Sequence, residues 1–263
     1  MLASRPSPDS PRVALVTGVT SGIGEACARR FHAEGWHVIG WGRRRERLDA
    51  LAGELGDRFF VQSLDVRDRS AMTAALAALP APWSSIDVLV NNAGLALGLE
   101  KAPEAKLDDW DTMIDTNCRA MVTLTRAVLP GMVERRRGHV ISIGSVAGNY
   151  PYPGGNVYGA TKAFVRQFAL NLRADLLGTP VRATNIEPGM VETEFSAVRF
   201  GGDGDRAKKV YEGMDPLTGF DIANAVFWCA SLPPHVNINT LELMPTGQGF
   251  SPFAVDRSGG SRA

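Results

Sequence analysis

The strongest constraint on the fold is a junction near the N-terminus, where an apolar run meets a glycine-rich turn and then a helical pattern. Val13-Ala14-Leu15-Val16 is the continuous hydrophobic stretch expected of a strand buried on both faces. It passes directly into Thr17-Gly18-Val19-Thr20-Ser21-Gly22-Ile23-Gly24. Ala26, Ala28 and Phe31 then recur among Arg29, Arg30 and Glu34. Strand, tight turn and helix in that order predict a βα unit of a parallel sheet. Gly18 permits the turn, Gly22 lets a pyrophosphate reach the backbone, and Gly24 lets the helix lie close to the sheet. The helix start adds unpaired N–H groups that suit an anion, so Thr20, Ser21 and Ile23 join the glycines as candidate cofactor-binding residues. The spacing is G-x-x-x-G-x-G rather than G-x-G-x-x-G. The bland alternative is a Gly-rich βα turn that holds no ligand.

A second strand, His37-Val38-Ile39-Gly40-Trp41, ends in Gly42-Arg43-Arg44-Arg45. A site selecting NAD carries an acidic residue here for the ribose 2′-hydroxyl, and this chain has none before Glu46. Planar guanidinium groups suit a 2′-phosphate instead, so NADP(H) is the expected cofactor, with Arg43 and Arg44 as its ligands. Arg45 and Arg47 are expected to cover the exposed face of the following helix.

Tyr158 and Lys162 stand four residues apart, which places both on one helix face. A free tyrosine titrates at about 10 and is a poor base, and a fixed ammonium beside it favours the phenolate. Taken alone, such a pair is usually a solvated face. Four further signatures accompany it in order: Leu64-Asp65-Val66, Val88-Leu89-Val90-Asn91-Asn92-Ala93-Gly94, Asn117 after Trp110, and Ser145 at the end of Val140-Ile141-Ser142-Ile143.

Together with the glycine turn, these resemble the short-chain dehydrogenase/reductase family across residues 12 to 245. The resemblance implies a single-domain α/β Rossmann fold, a doubly wound parallel sheet of about seven strands flanked by helices. It implies that Asp65 and Val66 hold the adenine, that Asn92, Ala93 and Gly94 run along the adenosine ribose, and that Pro188, Gly189, Val191 and Thr193 close over the carboxamide and phosphates. Asn117 would bind a water feeding protons to Lys162, Ser145 would donate to the substrate oxygen, and Tyr158 would exchange the proton. Lys162 would grip the nicotinamide ribose and lower the tyrosine's pKa. Within the family, stretches such as Trp110 to Asn117, Gly154 to Phe168 and His235 to Glu242 are similar to the branch acting on 3-hydroxy acids. An NADP-dependent oxidoreductase of a small 3-hydroxy acid (serine, allo-threonine or 3-hydroxypropionate type), or of its semialdehyde, is therefore expected. The alternatives are a reductase of another short polar aldehyde or ketone such as sulfoacetaldehyde, and a non-catalytic NADP-binding redox sensor. Residues 190 to 216 correspond to the family's substrate lid, with Arg199 the candidate clamp for the substrate carboxylate and Tyr150 and Tyr152 candidate pocket walls. Homotetramers, formed through helices near 107–134 and 157–178, are implied as well.

Bulk properties agree. With 28 basic and 28 acidic residues the formal charge is zero, which disfavours nucleic acid or an anionic membrane as partner. Four histidines and three cysteines show no metal-ligand spacing, and cysteines without a pairing pattern fit a reducing cytoplasm. Residues 1–11 read as a disordered lead, residues 12–250 as the domain, with its last strand near Ile238 to Leu243, and residues 251–263 as a loose tail.

Overall fold

The computed structural model describes residues 11–250 and 255–256, so the lead at 1–10 and most of the tail from 251 lie outside the described residues. The first half of the chain contains β1 (Val13–Thr17), α1 (Gly22–Ala33), β2 (His37–Gly42), α2 (Arg45–Leu55), β3 (Phe59–Ser63), α3 (Arg69–Ala77) and β4 (Val88–Asn91). The second contains α4 (Leu107–Ile114), α5 (Ala120–Glu134), β5 (Gly138–Ile143), α6 (Asn156–Asp175) and β6 (Val181–Pro188). An excursion follows, made of β7 (Val191–Glu192), α7 (Phe195–Arg199), α8 (Gly204–Tyr211) and β8 (Leu217–Thr218), before α9 (Gly219–Ser231) and β9 (Thr240–Leu243).

Seven strands form one sheet in the order β3-β2-β1-β4-β5-β6-β9, each parallel to its neighbours. Every side chain of β1 is buried, and the two-residue period of a strand divides them between two cores. Ala14 and Val16 pack with Phe31, Leu48, Ile222 and Val226, under α1, α2 and α9. Val13 and Leu15 pack with Met72, Leu124 and Leu172, under α3, α5 and α6. This two-sided burial is why the strand reads as an uninterrupted apolar run. The strand order reverses between β1 and β4, and the crevice at the carboxyl ends of such strands is where a doubly wound sheet takes its ligand.

Two boundaries differ from the sequence expectation. Residues 107–134 were expected as an unbroken helix, but Asp115–Arg119 forms a π turn between α4 and α5 that carries Thr116, Asn117 and Cys118 into the interior. The last strand, expected from Ile238, begins at Thr240. Upstream of it the Asn237 side chain replaces the ladder, accepting from Ala183 N and donating to Ala183 O, both at 2.9 Å.

The excursion is fastened at its base by the parallel pairing of β7 with β8, Val191 opposite Leu217 and Glu192 opposite Thr218. Tyr211 closes it from within, donating to Val191 O at 2.8 Å and sharing a 2.7 Å hydrogen bond with Ser196. Its exit is fixed by a reciprocal cap on α9, in which Thr218 and Asp221 satisfy each other's backbone N–H groups. Among the described residues no helix is long and apolar enough to cross a membrane.

Candidate active site

The glycine turn has a backbone that side chains would obstruct. Gly18 and Gly22 adopt φ of 75° and 56°, the left-handed region that glycine tolerates. A Cβ on Gly22 would stand 3.1 Å from Thr193, and one on Gly24 would collide with the Gly18 carbonyl and the Asn92 amide. Ser21 precedes α1 in an extended conformation without capping it through its side chain, so the first N–H groups of the helix stay available. Asn92 ties the end of β4 to this turn by donating to Thr17 O at 2.8 Å, while Thr17 Oγ1 accepts from the N–H groups of Asn92 and Ala93. A narrow cradle with free helix-start donors is the shape and polarity that a dinucleotide pyrophosphate requires, so these residues fit the expected cofactor.

Beyond the turn lies a basic edge. Arg44 donates from Nε to Thr20 Oγ1 at 3.0 Å and from Nη2 to Thr20 O and Ser21 Oγ at 3.0 and 2.8 Å. Its Nη1 pairs with Glu194 at 2.7 Å. Arg45 covers the helix face as expected, pairing with Asp49 one turn on. Arg47 does not: it reaches back to Thr20 O and pairs with Glu194 at 2.6 Å. The sequence could not show this, because its carboxylate partner lies far along the chain. Asp65 is bound by Arg67, whose hydrogen bonds are the main reason its carboxyl titrates below the usual range. The cap of α3 is Asp68, accepting from Ala71 N.

At the other end, α6 carries Tyr158 and Lys162 inward, both buried. Lys162 Nζ donates to Ile143 O at 2.8 Å and lies 5.8 Å from the Tyr158 ring centroid. Burial disfavours its charge and lowers its pKa to about 8. Burial also pushes Tyr158 up to about 12, opposed by the facing Ser145 hydroxyl and the Arg199 charge. The expectation that Lys162 draws the phenol down is therefore not met in this structure. Desolvation outweighs the charges near the ring, and the cation acting on it is Arg199.

Arg199 reaches the pocket from the end of α7. Its Nη2 donates to Tyr152 OH at 2.6 Å, its Nε donates to Gly98 O, and its guanidinium lies 5.5 Å from the Tyr158 ring centroid. Asn117 stands behind this wall, with Nδ2 donating to Leu95 O and Thr161 Oγ1 and Oδ1 accepting from Leu95 N. Its side chain is thus occupied in fixing the loop after β4 and the helix of Tyr158.

A buried carboxylate network escaped the sequence reading. Glu187, at the end of β6, accepts from Asn149 and Asn185, each at 2.8 Å, and lies 3.4 Å from Arg166. Asn149 also donates to Glu242, which accepts from Tyr150 at 3.3 Å. Burial raises the pKa of Glu187. The lone carboxylate in the otherwise uncharged Ala183-Thr184-Asn185-Ile186-Glu187-Pro188 was the available signal. This network sets the position of Asn149 and Tyr150, just after Ser145.

One cavity of about 430 Å³ joins the two ends. Arg43, Asp65 and Val66 line it at one end and Ser145, Tyr150, Tyr152, Tyr158 and Arg199 at the other, with the glycine turn, Asn92 to Gly94, Pro188, Gly189, Val191 and Thr193 between. Of the residues singled out from the sequence, only Gly24 and Asn117 stand outside the lining, each packed against a residue that does line it.

The fold and this site define a class of protein, and the chain belongs to it: residues 12–201 match the short chain dehydrogenase family. Among its relatives, the NADP-dependent 3-hydroxy acid dehydrogenase YdfG of Salmonella typhi is 62% identical over 247 residues, covering 94% of this chain and all of that protein. Serine 3-dehydrogenase of Agrobacterium fabrum is 55% identical over 243 residues, covering 92% of this chain and 97% of its own. The solved structure of the closed form of serine dehydrogenase complexed with NADP+ superposes with a TM-score of 0.90 at 59% identity, over 94% of this chain and 100% of that one.

Proposed function

We propose that this protein is an NADP-dependent oxidoreductase of small 3-hydroxy acids or their semialdehydes. The observation that carries the reading is the continuity of one cavity from the basic edge at Arg43 to Ser145, Tyr158 and Arg199. The relatives named above, NADP-dependent 3-hydroxy acid and serine dehydrogenases, support the same cofactor and substrate class.

In this reading the glycine turn and the start of α1 hold the pyrophosphate, and Arg43 and Arg44 face the 2′-phosphate. NADP(H) supplies the hydride donor or acceptor. Ser145 donates to the substrate oxygen and stabilises the charge that develops there during reduction. Tyr158 gives its proton to that oxygen in reduction and takes one from the hydroxyl in oxidation. Lys162 restores the tyrosine's proton, and Asn117 braces the loop and helix that align these groups. Arg199 binds the substrate carboxylate with a charge-assisted hydrogen bond. Its position against Tyr158 leaves room for a short acid, whose hydroxyl carbon and carboxylate are only a few bonds apart. The excursion between β7 and β8 acts as the substrate lid. The same reading gives a cytoplasmic protein that assembles as a homotetramer; assembly is supported by apolar side chains left exposed on two helices, Ile114 of α4 and Phe164 of α6, the latter stacked on the half-buried Phe168.

The test is NADP⁺ reduction at 340 nm with L-serine, L-allo-threonine, 3-hydroxypropionate and neutral secondary alcohols, repeated with NAD⁺. Turnover of the acids with NADP⁺ alone is expected, and Tyr158→Phe should lower kcat by about 10² to 10⁴-fold while keeping cofactor affinity. Preference for the neutral alcohols would overturn the substrate assignment.

A further inference from the structure

Arg44 is the guanidinium best placed beside the glycine turn, yet its donors are already engaged. Thr20 and Ser21 hold one side of it, and the Glu194 carboxylate takes Nη1. Glu194 also takes Arg47, so one carboxylate gathers two guanidinium groups at the edge of the cofactor cavity, which Arg44 and Glu194 both line. These contacts are the leading cause of the low pKa of Glu194, which keeps it charged well below neutral pH.

We propose that Glu194 is an internal stand-in for the 2′-phosphate and thereby determines cofactor affinity and selectivity. It occupies Arg44 Nη1 and pairs with Arg47 while the groove is empty, and yields Arg44 to the phosphate as NADP(H) enters. The proposal rests on the NADP reading above.

Three features carry it. The side chains of Glu194, Arg44 and Arg47 are 43%, 43% and 48% exposed, so the ion pairs are solvent-screened and readily exchanged. The incoming phosphate bears about two negative charges to the carboxylate's one, so exchange at Arg44 favours it. Removing Glu194 does not unseat Arg44, because the hydrogen bonds to Thr20 and Ser21 remain. Glu194 therefore opposes NADP(H) by competition and leaves NAD(H), which lacks the group, unaffected.

The experiment is equilibrium binding to the intact protein and to Glu194→Gln, by calorimetry, with NADP⁺, NAD⁺, adenosine 2′,5′-bisphosphate and 5′-AMP. Glu194→Gln is expected to bind NADP⁺ and the bisphosphate about twofold to fivefold more tightly, with NAD⁺ and 5′-AMP unchanged. Unchanged or weaker binding of NADP⁺ would overturn the proposal, as would equal tightening of all four ligands. If the unaltered protein binds NADP⁺ no better than NAD⁺, the cofactor reading itself fails. That result is separable from the others because it appears before any substitution is made.

Discussion

Replacing Lys162 with methionine should make the protein more stable while removing its activity. Lys162 titrates at about 8 in the fold instead of 10.5, because burial penalises its charge. At about 1.4 kcal/mol per pH unit, the charged side chain costs the fold about 3 kcal/mol near pH 7. The sign follows from which state binds the proton. Between about 8 and 10.5 the unfolded chain keeps it and the folded protein has released it, so stability rises with pH across that window. Below about 8 the penalty is complete. Methionine has similar length and no charge, and it forfeits one hydrogen bond to Ile143 O, a loss of about 1 kcal/mol. Lys162→Met is therefore expected to gain about 2 kcal/mol near pH 7 and to lose nearly all of that gain near pH 9.5. Urea unfolding followed by circular dichroism, at both pH values and one protein concentration, measures the difference. A stability difference independent of pH would refute the reasoning, since hydrogen bonding and packing alone do not titrate in this range. Activity should fall by about 10² to 10⁴-fold in the same variant, an instance of a strained site opposing stability.

Three further outcomes are expected. In the cofactor-free protein, with Tyr158 pushed up to about 12, the 295 nm titration of the intact chain minus that of Tyr158→Phe should show no ionisation below about pH 10; a step near neutrality would contradict it. Arg199→Met should raise KM for 3-hydroxy acids by about tenfold or more and leave neutral alcohols unchanged, measured by steady-state kinetics on both classes. Arg43→Ala should weaken NADP⁺ binding by about tenfold without altering NAD⁺, as read by calorimetry.

What the sequence revealed and what it concealed divide along a physical line. The glycine turn and the Tyr158/Lys162 pair are local in that spacing states the backbone conformation or helix face each needs, whereas the roles of the pair and of Asn92-Ala93-Gly94 followed from the ordered set of motifs that resembles the family. The unbroken alternation of apolar runs with helical periods fits a parallel α/β sheet, and the doubly wound order of about seven strands was legible through the family resemblance. Arg47 was misplaced because Glu194 lies 147 residues away, and no spacing rule connects them. The Glu187, Asn149 and Glu242 network was hidden for the same reason, since three separate segments meet only when the sheet forms. The start of β9 was misjudged because the Asn237 amide imitates a backbone pair, which propensity cannot register. The direction of the Tyr158 shift was lost because a sequence displays a neighbouring ammonium but not the depth at which both groups sit.

The π turn at Asp115–Arg119 has a consequence for how this segment tolerates change. A regular helix advances about 100° per residue, so one extra residue held in a single wide turn rotates everything after it by that amount relative to everything before. Met113, upstream, packs toward Tyr158, whereas Leu124 and Val128, downstream, pack beneath the sheet. The two halves of the segment are therefore out of phase by design. Losing one residue between Asp115 and Arg119 would leave composition and hydrophobicity almost untouched, yet it would bring the halves back into step. Either the catalytic side or the sheet side would then be served by the wrong face. Substitution can be absorbed here residue by residue, but a deletion is a lesion of phase.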